Sequence, residues 1–214
     1  MNAVFFDVDG TLFDTRADLA STVNHTRREL SLAELPQEDV VRHVGQGARY
    51  LLEHAIPESG LAFEALWQVF RSHYAEHCCE QLTPYPGVIE TLRALSARGW
   101  LLGINTNKPN FAVRMILEKF GLAELFGEAV VAGGDGIALK PSAESIRACA
   151  ARLGHRLTSA DWMVGDSWTD LQCAANAGVR SAFCAFGFGR LNEAPYTVRI
   201  ERFVDLSSHL KDER

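Results

Sequence analysis

The chain has no surplus of positive charge: its 214 residues carry a formal net charge of −6. Bulk electrostatics therefore give no reason to expect a nucleic-acid partner or an anionic membrane surface. An anionic ligand would have to be attracted locally, by a metal ion or a few placed cations. No apolar run approaches the roughly 20 residues needed to span a bilayer, so no membrane partner is expected. Met1-Asn2-Ala3 leads directly into an apolar strand pattern, with no basic segment of the signal type. The cysteines (Cys78, Cys79, Cys149, Cys173 and Cys184) are odd in number, irregularly spaced and form no CxxC. That usage fits reduced thiols and a cytoplasmic location. His25, His54 and His73 fall in helical patterns, and no histidine pair has zinc-site spacing. Internal repeats and low-complexity tracts are absent. With 47% hydrophobic and 22% charged residues the chain can bury an ordinary core.

What is present is an alternation of two periodicities. Ala3-Val4-Phe5-Phe6 is a short apolar run that stops at Asp7, as expected of a parallel strand buried on both faces. From about Arg16 to Leu82 the pattern is helical, punctuated by Gly45, Gly47, Pro57 and Gly60. Thr83-Pro84-Tyr85-Pro86-Gly87 then reads as a rigid re-entry segment. Beyond it, strand-like runs at 100–104, 129–131, 162–164 and 179–185 alternate with helical patterns at 110–120, 142–153 and 169–177. Such alternation predicts an α/β fold: a Rossmann-like parallel sheet core, residues 1–15 and 83–214, with an inserted α-helical segment at 16–82. Residues 201–214 read as a solvated terminal helix.

In open parallel sheets the chemistry collects at the carboxyl ends of the strands. The strand exits here carry Asp7-Val8-Asp9, Asn105-Thr106-Asn107-Lys108, and Gly165-Asp166-Ser167-Trp168-Thr169-Asp170, with Leu139-Lys140-Pro141 at the end of a crossover. Asp7, Asp9, Asp166 and Asp170 converging at one edge would repel one another and raise one another's pKa. A divalent cation resolves that conflict, and magnesium prefers such oxygen ligands. Thr106, Asn107 and Lys140 supply a hydroxyl, an amide and an ammonium, the groups that grip phosphoryl oxygens.

Asp7-Val8-Asp9-Gly10-Thr11-Leu12, Thr106-Asn107-Lys108, Lys140-Pro141 and Gly165-Asp166 with Asp170 together resemble the four motifs of the haloacid dehalogenase superfamily, in its magnesium-dependent phosphatase branch. The resemblance implies Asp7 as nucleophile, forming an aspartyl-phosphate, and Asp9 as general acid and base. It implies Mg2+ held by Asp7, the backbone of Asp9 and Asp166, with Asp170 supporting that shell. Thr106, Lys140 and Asn107 would hold phosphate. The insert would be a helical cap hinged at Phe13–Arg16 and Thr83–Gly87. Within it, His43-Val44-Gly45-Gln46-Gly47-Ala48-Arg49 is similar to a glycine-bracketed cap segment of phosphoglycolate phosphatases, which makes Gly45, Gln46 and Arg49 candidates for substrate contact.

The expected activity is hydrolysis of a small-molecule phosphate ester, by a monomer or homodimer. A sugar phosphomutase of the same superfamily shares the chemistry, and a non-catalytic phospho-ligand binding protein shares the fold. Metal-independent dehalogenases of the superfamily lack the second aspartate, present here as Asp9. Phosphonate hydrolysis needs a cap lysine, and residues 16–82 contain none.

Overall fold

The computed structural model describes residues 1–210. The first strand, β1 (Ala3–Phe6), is followed by the short β2 (Phe13–Asp14). Four helices come next: α1 (Arg16–Glu29), α2 (Gln37–Val41), α3 (Ala48–Ala55) and α4 (Phe63–His77). A second short strand, β3 (Thr83–Pro84), returns the chain to the sheet. Then follow α5 (Val88–Ala97), β4 (Leu101–Pro109), α6 (Asn110–Lys119), α7 (Ala123–Phe126), β5 (Val130–Gly133) and α8 (Ala143–Arg152). β6 (Trp162–Gly165), α9 (Trp168–Ala177), β7 (Arg180–Cys184), β8 (Val198–Ile200) and α10 (Leu206–His209) complete it.

The main sheet has six strands in the order β5-β4-β1-β6-β7-β8, all parallel. β1 lies centrally, and its side chains alternate between two cores. Val4 and Phe6 join a cluster with Leu92, Ile116, Phe126 and Phe203 on one face. Ala3 and Phe5 join Ile146, Cys149, Met163 and Cys173 on the other. Helices cover both faces, which is why this strand carries no polar residue until Asp7.

The sequence reading departs from the structure in three places. β4 does not stop at Ile104 but continues through Thr106, Asn107 and Lys108 to Pro109, so these residues sit on a strand end and not in a loop. A sixth strand, Val198–Ile200, closes the sheet edge; three residues with one exposed arginine leave too short a pattern to detect. Residues 201–210 are a 3₁₀ turn and the four-residue α10, with Phe203, Leu206 and Leu210 buried in the core, not a solvated helix. Lys211–Arg214 lie outside the described residues.

The helices between β2 and β3 have their own apolar cluster, built on Leu19, Val23, Leu52, Leu66, Phe70 and Tyr74. Buried Arg27 ties its loops together, donating to the carbonyls of Ala33 and Ala55, both at 2.6 Å. Entry and exit of this segment are fastened side by side. β2 and β3 pair antiparallel, and Asp18 of α1 accepts hydrogen bonds from the backbone N–H groups of Gln81 and Leu82 at 2.8 and 2.9 Å. Asp18 is buried, so its removal strands both donors. Asp18→Ala is expected to cost about 3 kcal/mol and to lower Tm by roughly 6–12 °C. A thermal melt followed by circular dichroism tests this, and an unchanged Tm refutes the clasp.

Candidate active site

The carboxyl ends of β1, β4 and β6 deliver the predicted residues to one crevice. Asp7 is only 4% exposed, directly after β1. Gly10 turns the chain back with φ 74°; a β-carbon there would lie 1.8 Å from Asp166 Oδ2, so only glycine permits this close approach. Asp166 follows β6 and accepts from the backbone N–H groups of Phe188 and Gly189, at 2.9 and 2.7 Å. The Gly187-Phe188-Gly189 segment thereby orients this carboxylate.

Lys140 is the cation at the floor. Its Nζ lies 2.9 Å from Asp7 Oδ1 and 2.5 Å from Asp170 Oδ1. Burial disfavours the ammonium, but the Asp170 and Asp7 carboxylates outweigh it and hold Lys140 firmly charged. Asp170 is held through both oxygens: beside the Lys140 contact at Oδ1, its Oδ2 accepts from the Ser167 N–H at 3.0 Å and the Ser167 hydroxyl at 2.8 Å, capping α9. It fixes Lys140 and the loop.

Asp9 faces the same crevice from the other side. Its Oδ1 accepts from the Thr15 hydroxyl at 2.7 Å and from Lys108 Nζ at 2.6 Å. Among the described residues nothing donates to Oδ2, so one oxygen is anchored and the other is free. Lys108 also donates to the Tyr74 hydroxyl of α4, again at 2.6 Å. Of the four lysines in the chain, two are thus buried beside these carboxylates.

The sequence reading missed the parts played by Thr15, Lys108 and Tyr74. Lys108 was visible at a strand exit; Tyr74 sits in an amphipathic helix, where nothing distinguishes it from a core aromatic. Two candidates have protein partners in this structure. Asn107 has its whole amide engaged: Oδ1 accepts from Lys140 N at 2.9 Å, and Nδ2 donates to the carbonyls of Gly45 and Lys140 at 2.9 and 3.0 Å. These bonds tie Asn107 to the Lys140 loop. Arg49 points along the helical surface, pairing with Glu53 and Glu64 at 3.4 and 3.2 Å and stacking over Phe63.

The cavity above Asp7 and Asp9 is walled by Leu19, Val44, Gly45, Leu51, Phe70 and Tyr74 from the helical segment, and by Thr106 and Lys108 from β4. Gly45 and Gly47 adopt φ of 109° and 91°, which lets the α2–α3 turn bend over it. Gln46 instead lines a second, more polar cavity with Ser167, Trp168 and Arg190.

Asp7, Asp166 and Asp170 lie close enough to share one cation, each offering an oxygen within 4.8 Å of the others. Charge balance agrees. Among the described residues the ion pairs of the aspartates at 7, 9, 166 and 170 are with the two ammonium groups of Lys108 and Lys140, leaving a formal −2. Burial, and then the neighbouring carboxylates, raise the pKa of Asp166; burial also raises that of Asp7, against the pull of Lys140. The residues therefore fit a divalent metal ion.

The sequence profile of the family "Haloacid dehalogenase-like hydrolase" matches residues 4–184. The chain belongs to that family of hydrolases. It is 39% identical to a phosphoglycolate phosphatase of Agrobacterium fabrum over 191 residues, 86% of this chain and 80% of the relative. A phosphoglycolate phosphatase of Aquifex aeolicus is 32% identical over 207 residues, 96% of this chain and 95% of that one. The crystal structure of a predicted phosphoglycolate phosphatase from Haemophilus somnus superposes with a TM-score of 0.89 at 27% identity, covering 99% of this chain and 98% of the other. No helix among the described residues is long and apolar enough to cross a membrane.

The raised carboxylates give a signed prediction. A folded acid with raised pKa contributes stability below its unfolded value and loses it as pH climbs through the folded one. The metal-free protein thus loses stability from this cluster as pH rises above the ordinary aspartate range, while protons compete less with metal. Magnesium at about 100 times its Kd should add about 2.7 kcal/mol, or roughly 5–10 °C in Tm. The gain should be larger near pH ~7.5 than near pH ~5 and should vanish in Asp166→Asn. A pH-independent gain in differential scanning fluorimetry would refute the assignment.

Proposed function

We propose that this protein is a magnesium-dependent phosphatase that hydrolyses a small phosphate monoester of the phosphoglycolate type through an aspartyl-phosphate at Asp7. One observation carries the reading. Asp7 and Asp9 open into one cavity, and Asp9 is anchored through Oδ1 by Thr15 and Lys108 while Oδ2 stays free. A nucleophile and a positioned acid two residues apart are what a two-step phosphoryl transfer needs.

In the first step an Asp7 carboxylate oxygen attacks phosphorus, and the ester P–O bond breaks in line with it. Asp9 Oδ2 gives its proton to the departing alkoxide. In the second step Asp9 takes a proton from water, and the resulting hydroxide attacks phosphorus. The Asp7–phosphorus bond breaks, releasing inorganic phosphate and restoring the carboxylate. The Thr106 hydroxyl and the remaining N–H of Lys140 hold the phosphoryl oxygens. Asn107 serves by fixing the Lys140 backbone. Asp7, Asp166 and the Asp9 carbonyl would hold magnesium, with Asp170 behind them; the ion supplies positive charge that offsets the carboxylates and the incoming phosphate. Residues 16–82 serve as a cap that excludes water, hinged where β2 meets β3.

The similarity to curated phosphoglycolate phosphatases supports the ester class. The presence of Asp9 supports phosphatase over dehalogenase chemistry. Asp7→Asn should lower magnesium-dependent phosphate release from p-nitrophenyl phosphate by more than about 10³-fold, with Tm little changed. Turnover near the wild-type rate would sink the nucleophile assignment.

A further inference from the structure

We propose that Lys108 and Tyr74 form a receptor for a carboxylate on the substrate, set a few bonds from the scissile ester oxygen. The inference rests on the phosphatase reading above and adds how the leaving group is selected.

Among the described residues that line the Asp7–Asp9 cavity, Lys108 is the one cation. Its side chain is 1% exposed, an expensive place for an ammonium unless its hydrogen bonds are filled. An ammonium has three N–H donors. Two go to Asp9 Oδ1 and the Tyr74 hydroxyl, each at 2.6 Å. The Tyr74 oxygen accepts that bond, so its own proton is free to donate. Burial raises the Tyr74 pKa, which keeps the proton in place at neutral pH. One N–H and one O–H, both at the cavity wall, therefore lack acceptors among the described residues. A carboxylate is the acceptor that matches a paired N–H and O–H beside a positive charge.

Position supplies the second half of the inference. Lys108 touches the very carboxylate whose free oxygen faces the leaving group. A negative charge that reaches Lys108 must therefore lie close to the ester oxygen. Phosphoglycolate, with its carboxylate on the carbon next to the ester oxygen, has that form. The rest of the cavity wall offered by Leu19, Val44, Leu51 and Phe70 is apolar and gives a longer polar chain no partner. Arg49, the other cation considered for this duty, is occupied on the surface by Glu53 and Glu64. Because Tyr74 belongs to α4 and Lys108 to β4, the receptor is complete only when helical segment and sheet are together.

The bland alternative is that Lys108 merely positions Asp9. The two separate in substrate discrimination. Phosphate release with magnesium is measured for 2-phosphoglycolate and for ethyl phosphate, which has the same two-carbon chain without the carboxylate. The wild type should prefer phosphoglycolate in kcat/KM by about 100-fold. Tyr74→Phe, isosteric apart from one oxygen, should cut that ratio by about 10-fold, chiefly through a higher KM for phosphoglycolate. Lys108→Met should bring the ratio near unity while also slowing ethyl phosphate, since Asp9 loses its partner. Equal falls on both substrates, with the ratio intact in both variants, would overturn the receptor and leave Lys108 a positioning residue. So would a wild type that shows no preference. If Lys108→Met fails to fold, Tyr74→Phe decides by the same ratio. A wild type that releases phosphate from p-nitrophenyl phosphate but from neither two-carbon ester overturns the receptor and leaves the phosphatase reading standing. A wild type that releases phosphate from no ester overturns both.

Discussion

Everything at this site depends on keeping carboxylates charged in a place that water barely reaches. Desolvating each ion costs several kcal/mol, and attraction repays it only where the geometry is close and the remaining hydrogen bonds are filled. The protein meets that condition unevenly. Asp170 is held through both oxygens by Lys140 and Ser167. Asp9 and Asp166 are each anchored by two donors at one oxygen. Asp7 meets chiefly Lys140, and burial raises the pKa of both Asp7 and Asp166. The shortfall is located, not diffuse: it sits where a cation would add the missing positive charge. Residues saturated by the fold serve as scaffold, and those left unsaturated are the ones available for chemistry.

The same distinction explains how much could be read from the sequence. The parallel α/β core was legible because strands buried on both faces have no polar residues until they end, and each end then announced itself with an aspartate, a threonine or a lysine. The aspartates at 7, 9, 166 and 170 were identifiable as a group, since four acids at strand exits make little sense singly. What the residues do to one another was not legible. Asn107 carries the same amide whether it binds phosphate or a backbone carbonyl; only its contacts with Gly45 and Lys140 show that it is spent. Arg49 had the right charge in the right segment, but a helix-surface arginine finds glutamates three or four residues away more readily than it finds a distant substrate. Tyr74 was invisible, because periodicity assigns it to the apolar face of α4 and carries no information about where its hydroxyl ends. The edge strand β8 escaped for a simpler reason: three residues are too few for an alternation to register.

Tyr74 also shows why the helical segment cannot be regarded as a passive cover. Its ring is buried with Phe70 in the apolar cluster of that segment, while its hydroxyl accepts from a lysine of the sheet. Gly45 makes a second such contact, its carbonyl taking a hydrogen bond from Asn107. Both contacts end on β4, the strand that runs on past its expected end. The length of β4 therefore matters functionally. A strand that ended at Ile104 would leave Thr106, Asn107 and Lys108 on a loop, where conformational entropy would have to be overcome each time the site assembled. Carried on the strand, Thr106 faces Asp7, Asn107 holds the Lys140 loop, and Lys108 reaches across to Asp9 and α4. The clasp at β2, β3 and Asp18 limits how the helices can approach, and β4 determines what they meet on arrival. On the proposed reading, specificity for the leaving group and placement of the acid–base residue share the Lys108 ammonium, which bonds both Asp9 and Tyr74.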